Sequence, residues 1–431
     1  MSETAAPEGS AVRVSPGAPS AHWEVRVPGS KSLTNRALLL AGVATGQSRL
    51  INPLLADDTR VMADALRALG ATIVARGGAG GGESVVTGIG GAPRGGGQLW
   101  CGMAGTAGRF LVAMVAAGSG HYVIDAHPQL QRRPLGPLLA ALQSQGAAIE
   151  GDSFPLTVTS DGLTGGTIEV DASVSSQFLS ALVMAAPLAR APTTLEFESL
   201  VSRPYLTLTL DVMRAFGVQV DDAPGSLRVS PQDYRAAELE IEPDASTASY
   251  FLAAAALTAT SVRIPGIDLD ATGQGDSELV GHLERMGATI TARNPLELTG
   301  PRRLRGAHVN MGDSTDVFMT LACVAPFADG PTTIEGIGHA RVKESDRIGA
   351  TAANLRRLGI EVEEGPDFLR IHPGTPVTAR LPTYEDHRIA MAFSLVGTRV
   401  PVIIEHPEVV AKTCPEFFEL WARTGAVVRS A

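Results

Sequence analysis

The sequence predicts an α/β protein built from six repeated units, grouped as two domains of three. A helical run that ends at glycine and continues into a β-prone segment occurs six times, with its glycines 66 to 76 residues apart. A second, more apolar helical run precedes each copy. The chain of 431 residues is also too long for one compact core, so two domains of roughly 200 residues are expected.

The repeated glycines mark the predicted ends of six outer helices. They are Gly70, Gly146, Gly217, Gly287, Gly359 and Gly425. A helix commonly ends on a residue in the left-handed conformation, which glycine adopts at little cost. Because charged and amide side chains interrupt the apolar positions of these runs, we expect each outer helix to keep one face in water.

The six apolar runs predict helices that are buried on all sides. Polar residues near their beginnings follow one another at steps of 70 residues: Thr106, Ser176, Ser246, Asp316 and Asp386. Ser, Thr and Asp are preferred caps of helix N-termini. The repeat therefore predicts six capped helix starts at comparable positions.

Composition excludes several classes of protein. A hydrophobic content of 44% and a mean hydropathy near zero are typical of a soluble globular chain, and no apolar run reaches the roughly 18 residues of a membrane helix. A net charge of -10 argues against a general nucleic-acid surface. Three scattered cysteines are too few for a disulfide framework or a zinc site, so they predict a reducing, cytoplasmic location.

Two segments are predicted to lack regular structure. The first twenty residues are rich in Ala, Pro, Ser and Gly, which favours a disordered tail and is unlike a signal or transit peptide. The glycine-rich stretch from Gly77 to Gly97 lacks the order GxxxxGK[ST] of a phosphate-binding loop. We interpret it as a flexible loop between strands.

Cations, together with polar, acidic and glycine residues, gather where the predicted helices begin. In chain order they are Lys31, Ser32, Arg36, Gly105, Arg109, Ser175, Ser176, Gln177, Asp316, Arg341, Lys343, Glu344, Arg347, Asp386, His387, Arg388 and Lys412. A helix N-terminus offers free N–H groups and about half a positive charge, and the arginine fork matches carboxylate and phosphate. Any one of these residues could equally belong to a solvated face or an internal ion pair, but their recurrence at equivalent positions favours a site for more than one anionic group.

Six short motifs carry a resemblance to a known family. They are PGSKSLTNR at 28–36, SSQFLSAL at 175–182, SRPYL at 202–206, RVKESDR at 341–347, DHRIAMA at 386–392 and AKT at 411–413. In this order and spacing the chain resembles the bacterial 5-enolpyruvylshikimate-3-phosphate synthases over about residues 23–429.

The resemblance implies a particular architecture. Each of two similar domains would contain three βαβαββ units around buried parallel helices, an inverse α/β barrel of the enolpyruvyl transferase type. Residues 1–29 would hold the tail and a first strand that belongs with the C-terminal half, while 30–242 and 243–431 would form the two domains. The active site is expected in the cleft between them, assembled by domain closure.

The resemblance also implies a reaction. The enolpyruvyl group of phosphoenolpyruvate would pass to the 5-hydroxyl of shikimate 3-phosphate with release of phosphate, through a tetrahedral intermediate, as a step toward chorismate and the aromatic amino acids. No metal, nucleotide or covalent enzyme intermediate is implied, and a monomer is expected. Such addition and elimination needs a base near the hydroxyl and an acid near the methylene carbon.

The family's functional residues map onto this chain by motif. Shikimate 3-phosphate would be held by Lys31, Ser32, Arg36, Ser175, Ser176, Gln177, Ser202, Tyr205, Asp316 and Lys343. Phosphoenolpyruvate would be held by Lys31, Gly105, Arg133, Gln177, Arg347, Arg388 and Lys412. Asp316 is the expected base and Glu344, with Lys31 nearby, the expected acid. A carboxyl at 344 among Lys343, Arg347 and Arg341 is expected to stay ionised. Met103 and His339 stand where the family frequently has Asn, so His339 is named apart from these contacts.

Three alternatives remain open at this point. A UDP-N-acetylglucosamine enolpyruvyl transferase would share the fold, but that family typically has a Cys on the loop that here reads HPQLQRRP from His127. A silent binding protein should have lost Lys31, Asp316 or Glu344, and all three are present. A scaffold for protein partners should expose apolar outer helices, whereas these carry Arg, Glu and Gln.

Overall fold

The computed structural model describes residues 10–76 and 82–431, which divide into two compact units. The central unit comprises residues 28–242, and the split unit comprises residues 10–27 together with 243–431. The first nine residues of the predicted tail and residues 77–81 of the glycine-rich stretch lie outside the described residues. Strands and helices are numbered below in chain order.

The central unit alternates helices with short strands. Its helices are α1 (Lys31–Val43), α2 (Asp57–Ala68), α3 (Gly105–Ala117), α4 (Pro128–Gln131), α5 (Gly136–Ser144), α6 (Ser176–Ala185) and α7 (Arg203–Ala215). Its strands are β3 (Gln47–Ile51), β4 (Thr72–Arg76), β5 (Glu83–Thr87), β6 (Arg94–Trp100), β7 (Ser119–Asp125), β8 (Ala148–Glu150), β9 (Leu156–Asp161), β10 (Gly166–Glu169), β11 (Thr193–Glu196), β12 (Asp221–Ala223), β13 (Ser226–Val229) and β14 (Glu238–Glu240).

These strands form three four-stranded sheets of one design. Their orders are β14-β3-β5-β4, β6-β7-β9-β8 and β10-β11-β13-β12, with the first pair of each sheet parallel and the other pairs antiparallel. Glu238 of the last strand lies opposite Arg49 of the first strand. The last strand of the unit therefore completes its first sheet.

The split unit repeats this pattern. Its helices are α8 (Ala245–Thr258), α9 (Leu279–Arg285), α10 (Phe318–Val324), α11 (Arg347–Arg357), α12 (His387–Ser394) and α13 (Phe417–Trp421). Its strands are β1 (Ala11–Ser15), β2 (His22–Glu24), β15 (Ser261–Ile264), β16 (Thr289–Arg293), β17 (Leu296–Thr299), β18 (His308–Asn310), β19 (Thr332–Glu335), β20 (Val362–Glu364), β21 (Leu369–Ile371), β22 (Ala379–Leu381), β23 (Val402–Glu405) and β24 (Val427–Ser430).

Two of its three sheets take a strand from the start of the chain. The sheet orders are β16-β17-β15-β2, β18-β19-β21-β20 and β22-β23-β1-β24. β1 lies between β23 and β24 and is antiparallel to both, while β2 is parallel to β15. The first strands of the sequence thus complete a unit that otherwise consists of the second half of the chain.

Each unit has its own apolar core around its repeated apolar helices. α3, α10 and α12 are buried at every position, and the other core helices are buried at most of theirs. The six glycines that follow the outer helices all have positive φ, between 80° and 108°. The repeat-based prediction of core helices and glycine-terminated outer helices is therefore confirmed.

The helix caps differ from the prediction. Side-chain caps are present at Ser30, Ser175, Asp244 and Asp386, whereas α3 and α10 begin without one. Of the periodic polar residues only Asp386 is a cap; Thr106, Ser176 and Ser246 lie within the first turn, and Asp316 precedes the residue before α10. A cap must directly precede the first helical residue to reach the free N–H groups. The remaining periodic side chains are consequently available for other contacts.

The two predictions of irregular structure were wrong in part. β1 (Ala11–Ser15) is an internal strand of a sheet, with Val12 and Val14 buried. The short alternating pattern AVRV was overlooked because the composition of the surrounding segment favours disorder. The stretch from Gly77 to Gly97 includes β5 and the first part of β6, and β6 pairs with β7 over its full length. Over residues 10–76 and 82–431, no helix is both long and apolar enough to cross a membrane.

Candidate active site

Seven charged residues of the split unit form one connected cluster, called here the split-unit cluster. Its members are Asp316, Lys343, Glu344, Arg347, Asp386, Arg388 and Lys412. Arg347 is the first residue of α11 and Arg388 the second of α12, two helices capped by the aspartates that precede them. The caps fix where each helix begins. Both arginines therefore lie at helix starts, where their guanidinium groups meet the carboxylate of Asp316.

Asp316 lies among three cations. Its Oδ1 atom accepts hydrogen bonds from Lys343 Nζ at 2.5 Å and from Arg347 Nη1 at 2.9 Å. Its Oδ2 atom accepts one from Arg388 Nη2 at 2.7 Å. Burial alone would raise the pKa of Asp316, but the three cations outweigh burial and hold that pKa well below its usual range. The carboxylate is therefore ionised at neutral pH, and it can accept a proton only once those cations have other partners.

Arg347 is the centre of the cluster. Its guanidinium donates to Asp316, to Glu344 at 2.9 Å, and to both carboxylate oxygens of Asp386 at 2.8 and 3.3 Å. The side chain is only 1% exposed, and Asp386 is fully buried. Burial works to lower the pKa of Arg347, yet the carboxylates of Asp386, Glu344 and Asp316 raise it above its usual value. Arginine suits this position because its rigid fork can serve several carboxylates at once.

Of the cations that the sequence placed around Glu344, Arg347 is a hydrogen-bond partner, and Lys412 is a partner that the sequence did not predict. Glu344 Oε2 accepts from Arg347 at 2.9 Å and its Oε1 from Lys412 Nζ at 3.3 Å. Arg341 instead donates to Asp346 at 2.6 Å, and to other groups away from Glu344. Side chains that are close in sequence can point in different directions. Sequence proximity therefore suggested Arg341, which pairs with Asp346, and missed Lys412.

The charge balance of the cluster favours anions. Four cations face three carboxylates, which leaves one formal positive charge, and the lysine and arginine donors are nearly all buried. A buried cation keeps its charge only beside compensating anions. An incoming phosphate or carboxylate could thus replace a protein carboxylate as partner of the same cations.

The structure adds Asp276, which the sequence analysis did not single out. This side chain is buried, and Ser246 of α8 donates a short hydrogen bond to it. Burial and, to a smaller extent, the charge of Asp316 together raise the pKa of Asp276 to about 6, an effect that Arg388 partly opposes. No sequence motif marks this residue, because it follows the apolar first helix of its repeat by a long connection and enters the site only through packing.

A pH-dependent stability follows from this pKa. Because the folded-state pKa is raised above the unfolded value of about 3.9, the cost of ionised Asp276 is absent below pH 4 and complete above pH 6. We expect Asp276→Asn to stabilise the protein at pH 7.5 by on the order of 2 kcal/mol and to have little effect at pH 4. Urea unfolding at several pH values measures the difference. Asp270→Asn, at an exposed ion pair with Arg293, is the control and should show no such trend; the same offset for Asp276→Asn at every pH would contradict the prediction.

In the central unit, Arg36 is fixed by three protein acceptors. Its Nε donates to Thr209 Oγ1 at 2.7 Å, Nη1 to the Ser32 carbonyl at 3.0 Å and Nη2 to the Tyr205 carbonyl at 3.2 Å. The guanidinium also lies over the Phe110 ring, 5.2 Å from its centroid. Burial lowers the pKa of Arg36 to about 10, which leaves it charged at neutral pH. Arg36 thus joins α1 to α7 and keeps two of its five N–H groups for another acceptor.

Lys31 and the start of α6 also belong to the central unit. Lys31, the first residue of α1, is 9% exposed, with its Nζ 3.4 Å from the buried Asp58 carboxylate. Ser175 caps α6 and Ser176 is its first residue, nearly buried. Ser202 has φ 53° immediately before α7, a left-handed conformation that is uncommon for serine.

Gly105 allows two arginines to approach the start of α3. A Cβ atom at this position would lie 2.4 Å from Arg133 Nη1 and 3.1 Å from Arg109 Nη1. Arg133 follows α4, the short helix in the loop from His127, and is 9% exposed. The Gly105 backbone does not have positive φ, so its conformation does not call for glycine. Glycine matters here because it has no side chain and lets the arginines come close.

Arg109 fixes the orientation of the Gln177 amide, a role that the sequence analysis did not assign. Arg109 Nη1 donates to Gln177 Oε1 at 2.6 Å, and Nη2 donates to the Pro134 carbonyl at 3.0 Å. Since arginine has no acceptor, the amide oxygen must face Arg109, and the Gln177 NH2 group lies toward Thr106 Oγ1 at 3.4 Å. Gln177 therefore presents donors at the helix starts. The position of Arg109 one turn after Gly105 was the available signal.

The structure brings the predicted site residues together in separate sets. Within the split unit, Asp316, Lys343, Glu344, Arg347, Arg388 and Lys412 are directly bonded into the split-unit cluster, and His339 joins it through Thr315. Within the central unit, Ser32, Arg36 and Tyr205 form one bonded set, and Gly105, Arg133 and Gln177 meet around Arg109. In the described parts of the chain, no group of three or more His, Cys, Asp or Glu side chains is arranged to hold a metal ion.

Repeated four-stranded sheets around buried helices, with cations and carboxylates at the helix starts, place the protein in the enolpyruvyl transferase class. A solved structure of that class, the enolpyruvyl transferase NikO from Streptomyces tendae, has the same fold with a TM-score of 0.78 at 19% identity, over 99% of each chain. The chain belongs to the EPSP synthase (3-phosphoshikimate 1-carboxyvinyltransferase) family, whose sequence model matches residues 20–421.

Relatives in this family are similar over nearly their whole length. The 3-phosphoshikimate 1-carboxyvinyltransferase of Nostoc punctiforme is 43% identical over 91% of this chain and 94% of its own. That of Citrobacter koseri is 43% identical over 93% of this chain and 95% of its own. The solved EPSP synthase of Acinetobacter baumannii has a TM-score of 0.81 at 26% identity, over 98% of this chain and all of its own.

Proposed function

We propose that this protein transfers the enolpyruvyl group of phosphoenolpyruvate to the 5-hydroxyl of shikimate 3-phosphate and releases phosphate. The observation that carries the proposal is the split-unit cluster, in which four cations surround three carboxylates at the starts of α11 and α12. The family resemblance assigns five of its seven residues to the two anionic substrates: Asp316, Lys343, Arg347, Arg388 and Lys412. Membership of the EPSP synthase family supports the same reaction.

We propose that the residues named from the family motifs hold the two substrates. Shikimate 3-phosphate would contact Lys31, Ser32, Arg36, Ser175, Ser176, Gln177, Ser202, Tyr205, Asp316 and Lys343. Phosphoenolpyruvate would contact Lys31, Gly105, Arg133, Gln177, Arg347, Arg388 and Lys412. The buried cations, the Gln177 amide donors and the N-termini of α1, α3 and α6 support this assignment, because each is a donor suited to phosphate or carboxylate.

The chemistry requires proton transfers in both directions. In the addition step the 5-hydroxyl oxygen bonds to C2 of phosphoenolpyruvate, the hydroxyl loses its proton, and the methylene carbon gains one. In the elimination step the methyl group loses a proton, and phosphate leaves with the electrons of its C–O bond. We assign Asp316 as the base for the hydroxyl and Glu344 as the acid at the methylene carbon.

The contacts of the two carboxylates support these roles. Lys343, Arg347 and Arg388 lower the pKa of Asp316 when no substrate is bound. Anionic substrates would engage these same three cations. Weaker pairing with those cations makes Asp316 a stronger base. Glu344 is bonded to Arg347 and Lys412, two of the cations assigned to phosphoenolpyruvate, so its hydrogen bonds would change as that substrate binds. Substrate binding would thus prepare both groups for proton transfer.

The test is phosphate release from phosphoenolpyruvate. We expect release that requires shikimate 3-phosphate and none with UDP-N-acetylglucosamine in its place. Release with the nucleotide sugar alone would overturn the proposal in favour of the related transferase. We also propose that the enzyme is a cytoplasmic monomer; its three buried, unpaired cysteines are typical of a reducing compartment.

A glycine substitution tests the phosphoenolpyruvate subsite. In Gly105→Ala the new methyl group would displace the Arg133 guanidinium, which lies within 2.9 Å of the added atom. We expect the KM for phosphoenolpyruvate to rise about tenfold, an effect of about 1.4 kcal/mol, with less than about a twofold change for shikimate 3-phosphate. Steady-state kinetics with each substrate varied in turn gives both values.

Gly136→Ala is the matched control for that experiment. Gly136 also begins a helix, α5, but an added Cβ there would have no atom within 4 Å. We expect both Michaelis constants to stay at their wild-type values. If Gly105→Ala raised the KM for shikimate 3-phosphate and not that for phosphoenolpyruvate, the assignment of the two subsites would be reversed.

A further inference from the structure

A buried threonine links His339 to Lys343. The Thr315 side chain has no solvent exposure, and its Oγ1 lies 3.0 Å from Lys343 Nζ and 2.9 Å from His339 Nε2. Lys343 Nζ also donates to Asp316 Oδ1, the carboxylate of the residue after Thr315. The ammonium group is thus held by two adjacent residues, and His339 is hydrogen-bonded to one of them.

The donors and acceptors of this chain can be assigned. A lysine ammonium group donates and cannot accept, so Thr315 Oγ1 is the acceptor of the bond from Lys343. The Thr315 hydroxyl hydrogen then needs an acceptor of its own, because an unsatisfied buried hydroxyl is costly. Among the described residues the other partner of this hydroxyl is His339 Nε2. The hydroxyl must donate to Nε2, and the ring proton of neutral His339 must be on Nδ1.

We propose that His339 is a positioning residue for shikimate 3-phosphate binding: its unprotonated Nε2 orients the Thr315 hydroxyl, which with Asp316 holds the Lys343 ammonium group for the substrate. The inference rests on the proposed function, in which Lys343 binds shikimate 3-phosphate. Two of the three ammonium N–H groups are then directed by Thr315 and Asp316, and the third remains for the substrate.

The surroundings of His339 agree with a neutral ring. Burial and, to a smaller extent, the positive charge of Lys343 together lower the pKa of His339 to about 4, against the opposing effect of Asp316. Protonation would place an N–H on the side of Thr315 and leave the hydroxyl hydrogen without its acceptor.

The tautomer can be measured without substrate. Nitrogen NMR of the ring nitrogens in the full chain, with the His339 signals identified by their loss in His339→Gln, separates the two neutral tautomers from the cation. From pH 5.5 to 8 we expect the form with hydrogen on Nδ1 and none on Nε2. A proton on Nε2 at pH 7, in either the neutral or the charged ring, would overturn the proposal.

Kinetics then test whether the contact acts on substrate. Glutamine can place an amide oxygen near the position of Nε2, whereas leucine offers no acceptor. We expect His339→Leu and the nearly isosteric Thr315→Val each to raise the KM for shikimate 3-phosphate about fivefold to tenfold, with less than about a twofold change for phosphoenolpyruvate. His339→Gln should recover most of the loss. His308→Leu, at an exposed histidine of β18, is the control and should leave both constants unchanged.

The double variant Thr315→Val with His339→Leu separates positioning from direct contact. If His339 acts through Thr315, the double variant should be no worse than Thr315→Val alone. Additive losses, or equal losses in the glutamine and leucine variants, would overturn the proposal. A wild-type chain that releases no phosphate would overturn the proposed function, whereas an active chain whose variants keep its Michaelis constants would overturn only the role of His339.

Discussion

Replacing Asp316 with asparagine is expected to lower kcat for phosphate release by about 10²- to 10⁴-fold, the contribution of a well-placed general base. The KM for phosphoenolpyruvate should change by less than about threefold, because the cations assigned to that substrate remain. Asparagine has nearly the shape of aspartate but cannot accept the hydroxyl proton. It also turns a donor toward one of the cations that meet Asp316 in the structure.

Asp313→Asn is the matched control for this prediction. Asp313 lies three residues earlier on the same segment and is exposed, so the same chemical change there should leave kcat within about twofold of wild type. Single-turnover measurements would show whether the chemical step itself is slowed in Asp316→Asn. Equal losses in kcat and in phosphoenolpyruvate affinity would remove Asp316 from the chemistry and leave it a role in binding.

Replacing Arg347 with methionine is expected to lower the free energy of unfolding by about 3–5 kcal/mol, the usual cost of leaving buried charges unpaired. Asp386 is fully buried and would lose two hydrogen bonds, while Asp316 and Glu344 would each lose one. Phosphate release should fall at least about 10³-fold. The variant loses a cation assigned to phosphoenolpyruvate, and it also loses the hydrogen bonds that hold Asp316 and Glu344 in place. Denaturant unfolding and the phosphate assay measure the two effects.

The same change at Arg341 provides the control. Arg341 makes ion pairs with Asp346 and Glu364, but its side chain is 27% exposed against 1% for Arg347. Exposed pairs contribute about 0–1 kcal/mol, so Arg341→Met should be mild. Arg347→Lys should recover little stability, since the three N–H groups of a shorter ammonium cannot replace the four hydrogen bonds of the planar guanidinium fork. A loss no larger than that of Arg341→Met would show that the Arg347 hydrogen bonds are not needed for the fold.

Local patterns in the sequence predicted the repeated helices correctly. The glycines that end the outer helices and the apolar runs of the core helices act within a few residues, so their effect can be derived from a short segment. The caps were predicted less well, because the periodic polar residue is often one or two positions inside the helix. The strand Ala11–Ser15 was missed because its pairing partners, β23 and β24, lie at the opposite end of the chain.

The members of the candidate site could be named from motifs, but their partners could not. Sequence proximity correctly suggested Arg347 as a neighbour of Glu344, but it could not suggest Lys412, a second partner 68 residues away. Asp276 and the positioning role of Arg109 were both missed, since neither follows from spacing. Each depends on a side chain from another element that burial brings within hydrogen-bond distance.

The sequence by itself therefore determined the six helical repeats, the glycine-terminated helices and the inventory of charged groups, because these follow from interactions between near neighbours in the chain. The tertiary structure alone decided which cation meets which carboxylate, as in the contact of Arg388 with Asp316 across 72 residues. The physical reason is that the strength and direction of an ion pair, and hence the pKa of its members, depend on burial and distance in space.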